Sequence, residues 1–326
     1  MTVPRRLLVL VAALAALGAG ACSGGDAPPA AARPRPPAAG SPVTTAGIPS
    51  PTAAPPTTAA ADSPPASTVV SIPAPGSAPT PPLPGEPVAA ADAAGLAAQL
   101  TAAAAAIGDP RTPPGVLARQ AHVQQVAYRA MVNHPDLRDP TLALLAEPLR
   151  AAARANVEAG AELRAMLAAP KAALPAWRIV DPAPAADLLA DYHAAEAEIG
   201  VPWQYLAAVN LVETRMGRIR GTSEAGAQGP MQFLPSTWAA YGQGGDVDAD
   251  RDAIFAAARY LRRNGAPGDM ARALWNYNHD RRYADAVSRY AQQMAADPRA
   301  YQAYYRWQVY YVTVNGDVWL PVGYGA

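Results

Sequence analysis

A proline-rich stretch near the N-terminus constrains the fold of this chain more than any other feature. Of the 36 prolines in its 326 residues, 19 lie between Pro28 and Pro87. Proline lacks a backbone N–H and has a fixed φ, so closely spaced prolines interrupt both helices and sheets. The stretch has few aromatic or charged side chains and buries too little apolar surface to offset the entropy lost on ordering. The sequence therefore predicts that residues 22–87 form a disordered Pro/Ala/Thr-rich linker of polyproline character.

The residues ahead of this linker have the pattern of a targeting segment. Two arginines precede an apolar run, Leu7–Leu17, that is too short to span a bilayer permanently. Small residues follow, and then Cys22, the single cysteine of the chain. The sequence Ala19–Cys22 resembles a bacterial lipobox, which implies a lipoprotein signal peptide over residues 1–21 and lipidation of the cysteine. We therefore expect an extracytoplasmic protein, lipid-anchored to the outer face of the bacterial cell membrane; the alternative is plain cleavage, with the cysteine incidental.

The composition disfavours several classes of partner and site. The chain carries 26 basic and 26 acidic side chains, and a net charge of zero argues against nucleic acid as a partner. The four histidines are isolated, so no zinc pattern is present and we expect no cofactor.

The stretch Asp246–Asp252 begins like a calcium loop, but Arg251 stands where such a loop has glycine, and Ala257 stands where it has a bidentate glutamate. We interpret this stretch as a helix-capping turn and keep calcium binding as the less favoured alternative.

Helical patterns dominate the rest of the chain. Residues 88–170 are rich in alanine, the best helix former, and their apolar residues recur near the helical period. Further helices are predicted over Asp187–Ile199, Pro202–Met216, Ser236–Tyr241, Asp252–Arg263, Asp269–Tyr277 and Arg282–Ala296. Residues 309–326 form a β-rich tail in which Asn315-Gly316 is a strong hairpin signal. The sequence therefore predicts an all-α fold with a helical N-terminal region and a small C-terminal β-hairpin.

The helix predicted over Pro202–Met216 carries the first candidate catalytic residue. It is apolar nearly all round, so it should lie in the core, and Glu213 comes near its C-terminal end. Burial in apolar surroundings and the negative end of the helix dipole both raise the pKa of a carboxyl group. Glu213 is thereby suited to act as a general acid at neutral pH. The alternative is that Glu213 pairs at the surface with Arg215 or Arg218.

A glycine-hinged loop follows this helix. Ser223–Trp238 contains two glycines that allow close approach of the backbone, and it runs into a short helix. Gln232 offers both a donor and an acceptor, which suits sugar hydroxyl or amide groups. The loop is therefore a candidate binding element beside Glu213.

Three short motifs occur in order along the chain: Glu213-Thr214, then Gly226–Gln232, then Ala273–Asn278. Together they resemble the motif pattern of lytic murein transglycosylases with a goose-type-lysozyme-like (SLT) catalytic domain. The run Val212–Arg218 resembles the membrane-bound B-type branch of these enzymes.

The resemblance implies a lysozyme-like catalytic domain over residues 185–312 and a lytic transglycosylase that acts on the glycan strands of peptidoglycan. Such an enzyme cleaves the β-1,4 bond between N-acetylmuramic acid (MurNAc) and N-acetylglucosamine (GlcNAc), and it leaves 1,6-anhydroMurNAc ends. Glu213 would be the acid/base. The positions that would bind substrate are Thr214, Ser223, Met231, Gln232, Tyr277 and Asn278. The resemblance implies no metal and no cofactor.

Two other functions of this domain stay open at this point, beside the possibility that the chain is a wall-assembly scaffold in which the helical region Val88–Ala169 has the main role. One is a hydrolytic muramidase of the lysozyme type on the same fold, which normally needs a second carboxylate. Glu224, in the loop just before Gly226, is the first candidate for it. The other is a non-catalytic peptidoglycan-binding lipoprotein, which the presence of Glu213 beside the Gln232 motif disfavours.

Overall fold

A computed structural model describes residues 85–167 and 169–326 of the chain. The predicted signal peptide, Cys22 and nearly all of the predicted linker lie outside the described residues. Within the described part, eleven α-helices are accompanied by two small two-stranded sheets, which confirms the prediction of an all-α fold with a C-terminal hairpin. None of these helices combines the length and the apolar character that crossing a membrane requires.

The helices that were predicted from residue 185 onward are all present, with ends within two residues of those predicted. The N-terminal helices are α1 (Ala93–Gly108), α2 (Pro114–Asn133), α3 (Arg138–Leu144) and α4 (Leu149–Ala165). They are followed by α5 (Ala185–Ile199), α6 (Trp203–Thr214), α7 (Pro235–Tyr241), α8 (Asp250–Arg263), α9 (Met270–Tyr277), α10 (Arg281–Ala296) and α11 (Arg299–Arg306). The strands are β1 (Arg178–Ile179), β2 (Ile219–Arg220), β3 (Val309–Thr313) and β4 (Gly316–Leu320). Helix α11 and the β1–β2 pair were not predicted.

Helix α6 lies at the centre of the fold. All nine of its residues from Leu206 to Thr214 are buried, because α5, α8, α10 and α11 pack around it. One apolar cluster joins these helices to the N-terminal ones, in part through the contact between α4 and α10. The apolar pattern of α6 thus places Glu213 in the interior, where the sequence predicted it.

A second, smaller apolar cluster lies beside the segment that follows α6. Strand β1 pairs antiparallel with β2, with Ile179 opposite Ile219. The buried members of the cluster are Trp177, Ile179, Ile219, Val309, Tyr311 and Leu320. Two chain regions distant in sequence therefore meet here and hold the backbone between α6 and the glycine-hinged loop.

The C-terminal hairpin has its turn one residue earlier than predicted. Thr313 pairs with Gly316, so the two-residue loop consists of Val314 and Asn315. The Thr313 hydroxyl donates to the Gly316 carbonyl (2.8 Å) and accepts from the Asn315 N–H (3.1 Å). These bonds close the turn ahead of Gly316, which has a positive φ of 106° and is the first residue of β4.

Candidate active site

The chain reverses sharply just after Glu213. Arg215, Met216 and Gly217 take left-handed conformations, with φ of 55°, 60° and 81°. Only glycine does so without strain, and the cost for other residues is about 1–2 kcal/mol each. The Met216 N–H donates to the Asn210 carbonyl (3.2 Å), which helps to fix the reversal. Strained backbone of this kind persists only where the surrounding structure holds it, and it clusters at functional sites.

The carboxyl group of Glu213 is buried at the end of α6. The residue is 2% exposed, and its Oε1 accepts a 2.7 Å hydrogen bond from Tyr283 Oη. Burial raises the pKa of Glu213 from 4.5 to about 8, against the opposing effect of the Tyr283 hydrogen bond. No carboxylate in the described part of the chain contributes to this pKa. Glu213 therefore holds a proton at neutral pH, which is the state that a general acid requires.

The alternative in which Glu213 pairs with an arginine at the surface does not hold. Arg215 Nη1 donates to the Leu211 carbonyl (2.8 Å), and Arg218 Nη2 donates to the Tyr305 carbonyl (3.0 Å). Both guanidinium groups are themselves buried. Among the described residues, Glu213 makes no ion pair.

Tyr283, on α10, is a site residue that the sequence reasoning missed. Its ring stacks parallel to that of Tyr277, with 6.2 Å between centroids and 5° between planes. Tyr277 Oη in turn donates to the Met231 carbonyl (2.7 Å). Two of the predicted residues are thus joined to Glu213 through Tyr283. The only sequence signal for Tyr283 is its place on the apolar face of α10, and that position is equally typical of an ordinary core residue.

The glycine-hinged loop contains a tight turn packed against this tyrosine pair. Gln228 and Phe233 exchange backbone hydrogen bonds of 2.9 and 2.8 Å. The Phe233 ring meets Tyr277 edge-on, with centroids 6.1 Å apart. A Cβ on Gly229 would lie 1.9 Å from the Val247 carbonyl oxygen, so only glycine fits that position. The loop is therefore held in one conformation beside the end of α6.

Gln232 is held in this turn with its amide oxygen unpaired. It has a left-handed φ of 53°, and both its backbone N–H (3.1 Å) and its Nε2 (2.9 Å) donate to the Gly229 carbonyl. Its buried Oε1 has no hydrogen-bond partner among the described residues. Leaving a buried acceptor unpaired costs about 1–3 kcal/mol. A sugar hydroxyl, an amide N–H or a water molecule would satisfy this acceptor.

Two further predicted residues support the turn through their hydroxyl groups. Thr214 donates to the Pro230 carbonyl (2.6 Å) and accepts from the Gly217 N–H (3.0 Å), and it thereby ties α6 to the loop. Ser223 Oγ accepts from the Ala227 N–H (2.9 Å) and closes the first turn of the loop.

The last two predicted residues are also buried. The side chain of Met231 lies in the core, and the residue contributes its backbone carbonyl to the site. Asn278 follows the last residue of α9, and its N–H donates to the Leu274 carbonyl (3.1 Å). No hydrogen bond within the described residues joins the side chain of Asn278 or Ser223 to Glu213.

Two other carboxylates near the loop differ in their settings: Glu224 is exposed, whereas the Asp250 side chain is only 17% exposed, and its buried Oδ1 has no hydrogen-bond partner among the described residues. The side chain of Glu224 is 58% exposed and forms an ion pair with Lys171. Asp252 Oδ2 accepts from the Asp246 N–H and Asp246 Oδ1 accepts from the Asp248 N–H, each at 2.9 Å, as in a capping turn. In the part of the chain that the structure describes, no group of three or more His, Cys, Asp or Glu side chains is arranged to hold a metal ion.

An open groove of about 840 Å³ runs beside the loop. Its lining comes from β1, β2 and the loop and consists of Ala176, Arg178, Val180, Arg220, Gly221, Thr222, Gln228, Gly229 and Asp248. Gln228 and Gly229 belong to the turn that holds Gln232. The groove has the size of a ligand-binding cleft, and it reaches the turn at Gln228 and Gly229, but neither Glu213 nor Gln232 is part of its lining.

The site therefore combines a buried carboxyl group, a fixed amide acceptor and a groove beside the loop that carries this amide. A scan against models of protein families and searches of curated proteins and of solved structures found no match to this chain. Any functional assignment depends on the three sequence motifs and on the geometry around Glu213.

Proposed function

We propose that this protein is a peptidoglycan lytic transglycosylase with a lysozyme-like catalytic domain over residues 185–312. The observation that carries the proposal is the Glu213 carboxyl group, buried at the end of α6 with a pKa of about 8. A glycosidic oxygen is a poor leaving group unless it is protonated, and a carboxylic acid that stays protonated at neutral pH supplies that proton. The three sequence motifs that include or follow Glu213 also support the proposal, because they resemble those of lytic transglycosylases.

In the proposed reaction, Glu213 donates its proton to the oxygen that links MurNAc to GlcNAc, and the bond from that oxygen to the MurNAc anomeric carbon breaks. The Glu213 carboxylate then takes the proton of the MurNAc 6-hydroxyl while that oxygen bonds to the anomeric carbon, with the N-acetyl group assisting. The proton returns to Glu213 and no water is consumed. Because the attack is intramolecular, proximity lowers the entropic part of the barrier.

The setting of Glu224 favours this chemistry over hydrolysis. Hydrolytic glycosidases normally work with a pair of carboxyl groups. Glu224, the candidate for the second one, is exposed and engaged by Lys171, and no carboxylate of the described residues affects the pKa of Glu213. A hydrolytic muramidase on the same fold is the alternative that product analysis tests.

A purely binding lipoprotein is less well supported. A buried carboxyl group destabilises the folded protein whenever it ionises, and binding a glycan gives no reason to retain it. Catalysis does give such a reason.

Tyr283→Phe tests the link between the Tyr283 hydroxyl and Glu213. That hydrogen bond lowers the pKa of Glu213, so its removal should move the alkaline limb of the pH–rate profile above its wild-type position near pH 8. The turnover number should also fall about tenfold, because the carboxyl group loses the donor that orients it. Tyr290→Phe, seven residues further along α10, is the control and should leave the limb in place. An unmoved limb in Tyr283→Phe would show that Glu213 does not govern the rate.

We also propose that the enzyme is anchored to the outer face of the cell membrane through Cys22, with the linker reaching towards the wall. This part rests on sequence, since Cys22 lies outside the described residues. Wild-type protein expressed in bacteria should sediment with membranes and incorporate a fatty-acid probe, while Cys22→Ser should do neither. Equal labelling of the two proteins, or none of either, would remove the anchor from the proposal.

A further inference from the structure

Arg215 is a buried cation without a counter-charge of its own. The residue is 6% exposed; its Nη1 donates to the Leu211 carbonyl, and its buried Nε has no hydrogen-bond partner among the described residues. The titratable groups that act on the guanidinium are Tyr290 and Arg129, and no carboxylate of the described chain is among them. An ionised group inside a protein is ordinarily paired, because its lost hydration must be replaced.

Arg215 lines a cavity of about 70 Å³, and Glu213 is not part of the lining of this cavity. The rest of the cavity wall comes mainly from α2, α4, α10 and the C-terminal hairpin. The charged residues of the lining are Arg129, Arg164, Arg215 and Asp317. Three guanidinium groups thus face a single carboxylate, which leaves two positive charges in excess.

Asp317 is already engaged by the other two arginines. Its Oδ2 accepts from Arg129 Nη2 (2.6 Å) and from Asn133 Nδ2 (2.8 Å), and its Oδ1 accepts from Arg164 Nη1 (2.6 Å). Both oxygens are therefore taken, and the pKa of Asp317 is lowered by these arginines against the effect of burial. The charge of Arg215 remains to be balanced by something else.

We propose that this cavity binds a small oxyanion, a carboxylate or phosphate group, with Arg215 as its buried ligand and Arg164 at its mouth. A guanidinium group presents a planar fork of N–H donors that matches such groups. The cavity volume of about 70 Å³ is several times the roughly 10–15 Å³ that one water molecule needs on the same measure, so it has room for a small oxyanion group. Entry is open at Arg164, whose side chain is 35% exposed, and at the exposed Asn133. The proposal is independent of the proposed glycan cleavage.

The test is a titration of the full-length protein with sodium acetate and, separately, with sodium phosphate, at ionic strength held constant with sodium chloride. Calorimetry should detect saturable binding of one anion per chain for at least one of the two. At ten times the dissociation constant, that anion should raise the melting temperature by about 3–5 °C. A response to acetate identifies a carboxylate site and a response to phosphate a phosphate site. No saturable binding of either, or a response that chloride reproduces, would overturn the proposal.

Two variants locate the site. Arg215→Met should abolish binding while leaving the anion-free protein at least as stable as wild type, because an uncompensated buried charge is replaced by an apolar side chain. Arg164→Gln, at the mouth of the cavity, should weaken anion binding at least tenfold. If Arg215→Met does not fold, the affinity of Arg164→Gln alone tests whether the anion binds in this cavity. Arg154→Gln, an exposed residue of α4 outside the cavity, is the matched control and should bind as wild type does. Wild-type affinity in Arg164→Gln or Arg215→Met would contradict the assignment, whatever the outcome for Glu213.

Discussion

Glu213→Gln is expected to reduce the cleavage of purified peptidoglycan by about 10²–10⁴-fold, which is the usual contribution of general acid–base catalysis. The amide has the shape of the carboxyl group, and its oxygen can still accept the hydrogen bond of Tyr283, so the fold should be retained. The amide cannot donate a proton to the leaving oxygen, and it cannot accept the proton of the MurNAc 6-hydroxyl. The measurement is the release of soluble fragments by wild type and variant at equal concentration.

Glu224→Gln is the matched control for this experiment. Its carboxylate lies in the glycine-hinged loop but is exposed and paired with Lys171, so the substitution should leave most of the activity. A fully active Glu213→Gln protein with a native circular dichroism spectrum would end the assignment of Glu213 as the acid. Loss of activity in both variants would instead point to the two-carboxylate hydrolase.

The same substitution is expected to stabilise the protein as the pH rises. The Glu213 carboxyl group ionises near pH 4.5 in the unfolded chain and near pH 8 in the folded one. Between these values the folded protein binds more protons than the unfolded chain does, so its stability falls with rising pH. Below pH 4.5 both states are protonated and the penalty vanishes, while above pH 8 it is complete. Glutamine does not ionise and escapes the penalty.

The free energy of unfolding of Glu213→Gln should therefore match that of wild type near pH 4.5 and exceed it by about 3 kcal/mol at pH 7.5. Urea denaturation of both proteins at pH 4.5, 6.0 and 7.5 measures the difference, in which the titration of all other groups cancels. Glu198→Gln, an exposed glutamate of α5, provides the control and should show no such trend. A difference that stays constant with pH would mean that the Glu213 carboxyl group is not held protonated.

Features carried by local sequence were predictable. The apolar character of α6 predicted its central position, and the place of Glu213 near its end predicted a buried carboxyl group. Helices α5 to α10 followed from their periodicity and their caps, such as Asp269, whose side chain accepts from the Arg272 N–H (3.0 Å). These features depend on neighbours within a few turns, which the sequence displays directly.

Features that depend on distant contacts were not predictable. The Tyr283 hydroxyl meets a residue 70 positions earlier, and one tyrosine on an apolar helix face looks like any other until the helices are packed. The position of Arg215 likewise depends on a left-handed reversal of the backbone, which the sequence does not indicate because Arg215 is not a glycine. The strands β1 and β2 have two residues each, too few for a period of two to emerge.

The most direct test of the central claim, that a single carboxyl group completes the reaction with the substrate's own hydroxyl as nucleophile, is mass spectrometry of a peptidoglycan digest. The reaction predicts fragments that end in 1,6-anhydroMurNAc and are lighter by one water than the products of hydrolysis. They should appear in the wild-type digest and be missing from that of Glu213→Gln. A wild-type digest dominated by reducing MurNAc ends would contradict the claim, and Glu224 would be the first residue to examine as the second carboxylate of a hydrolase.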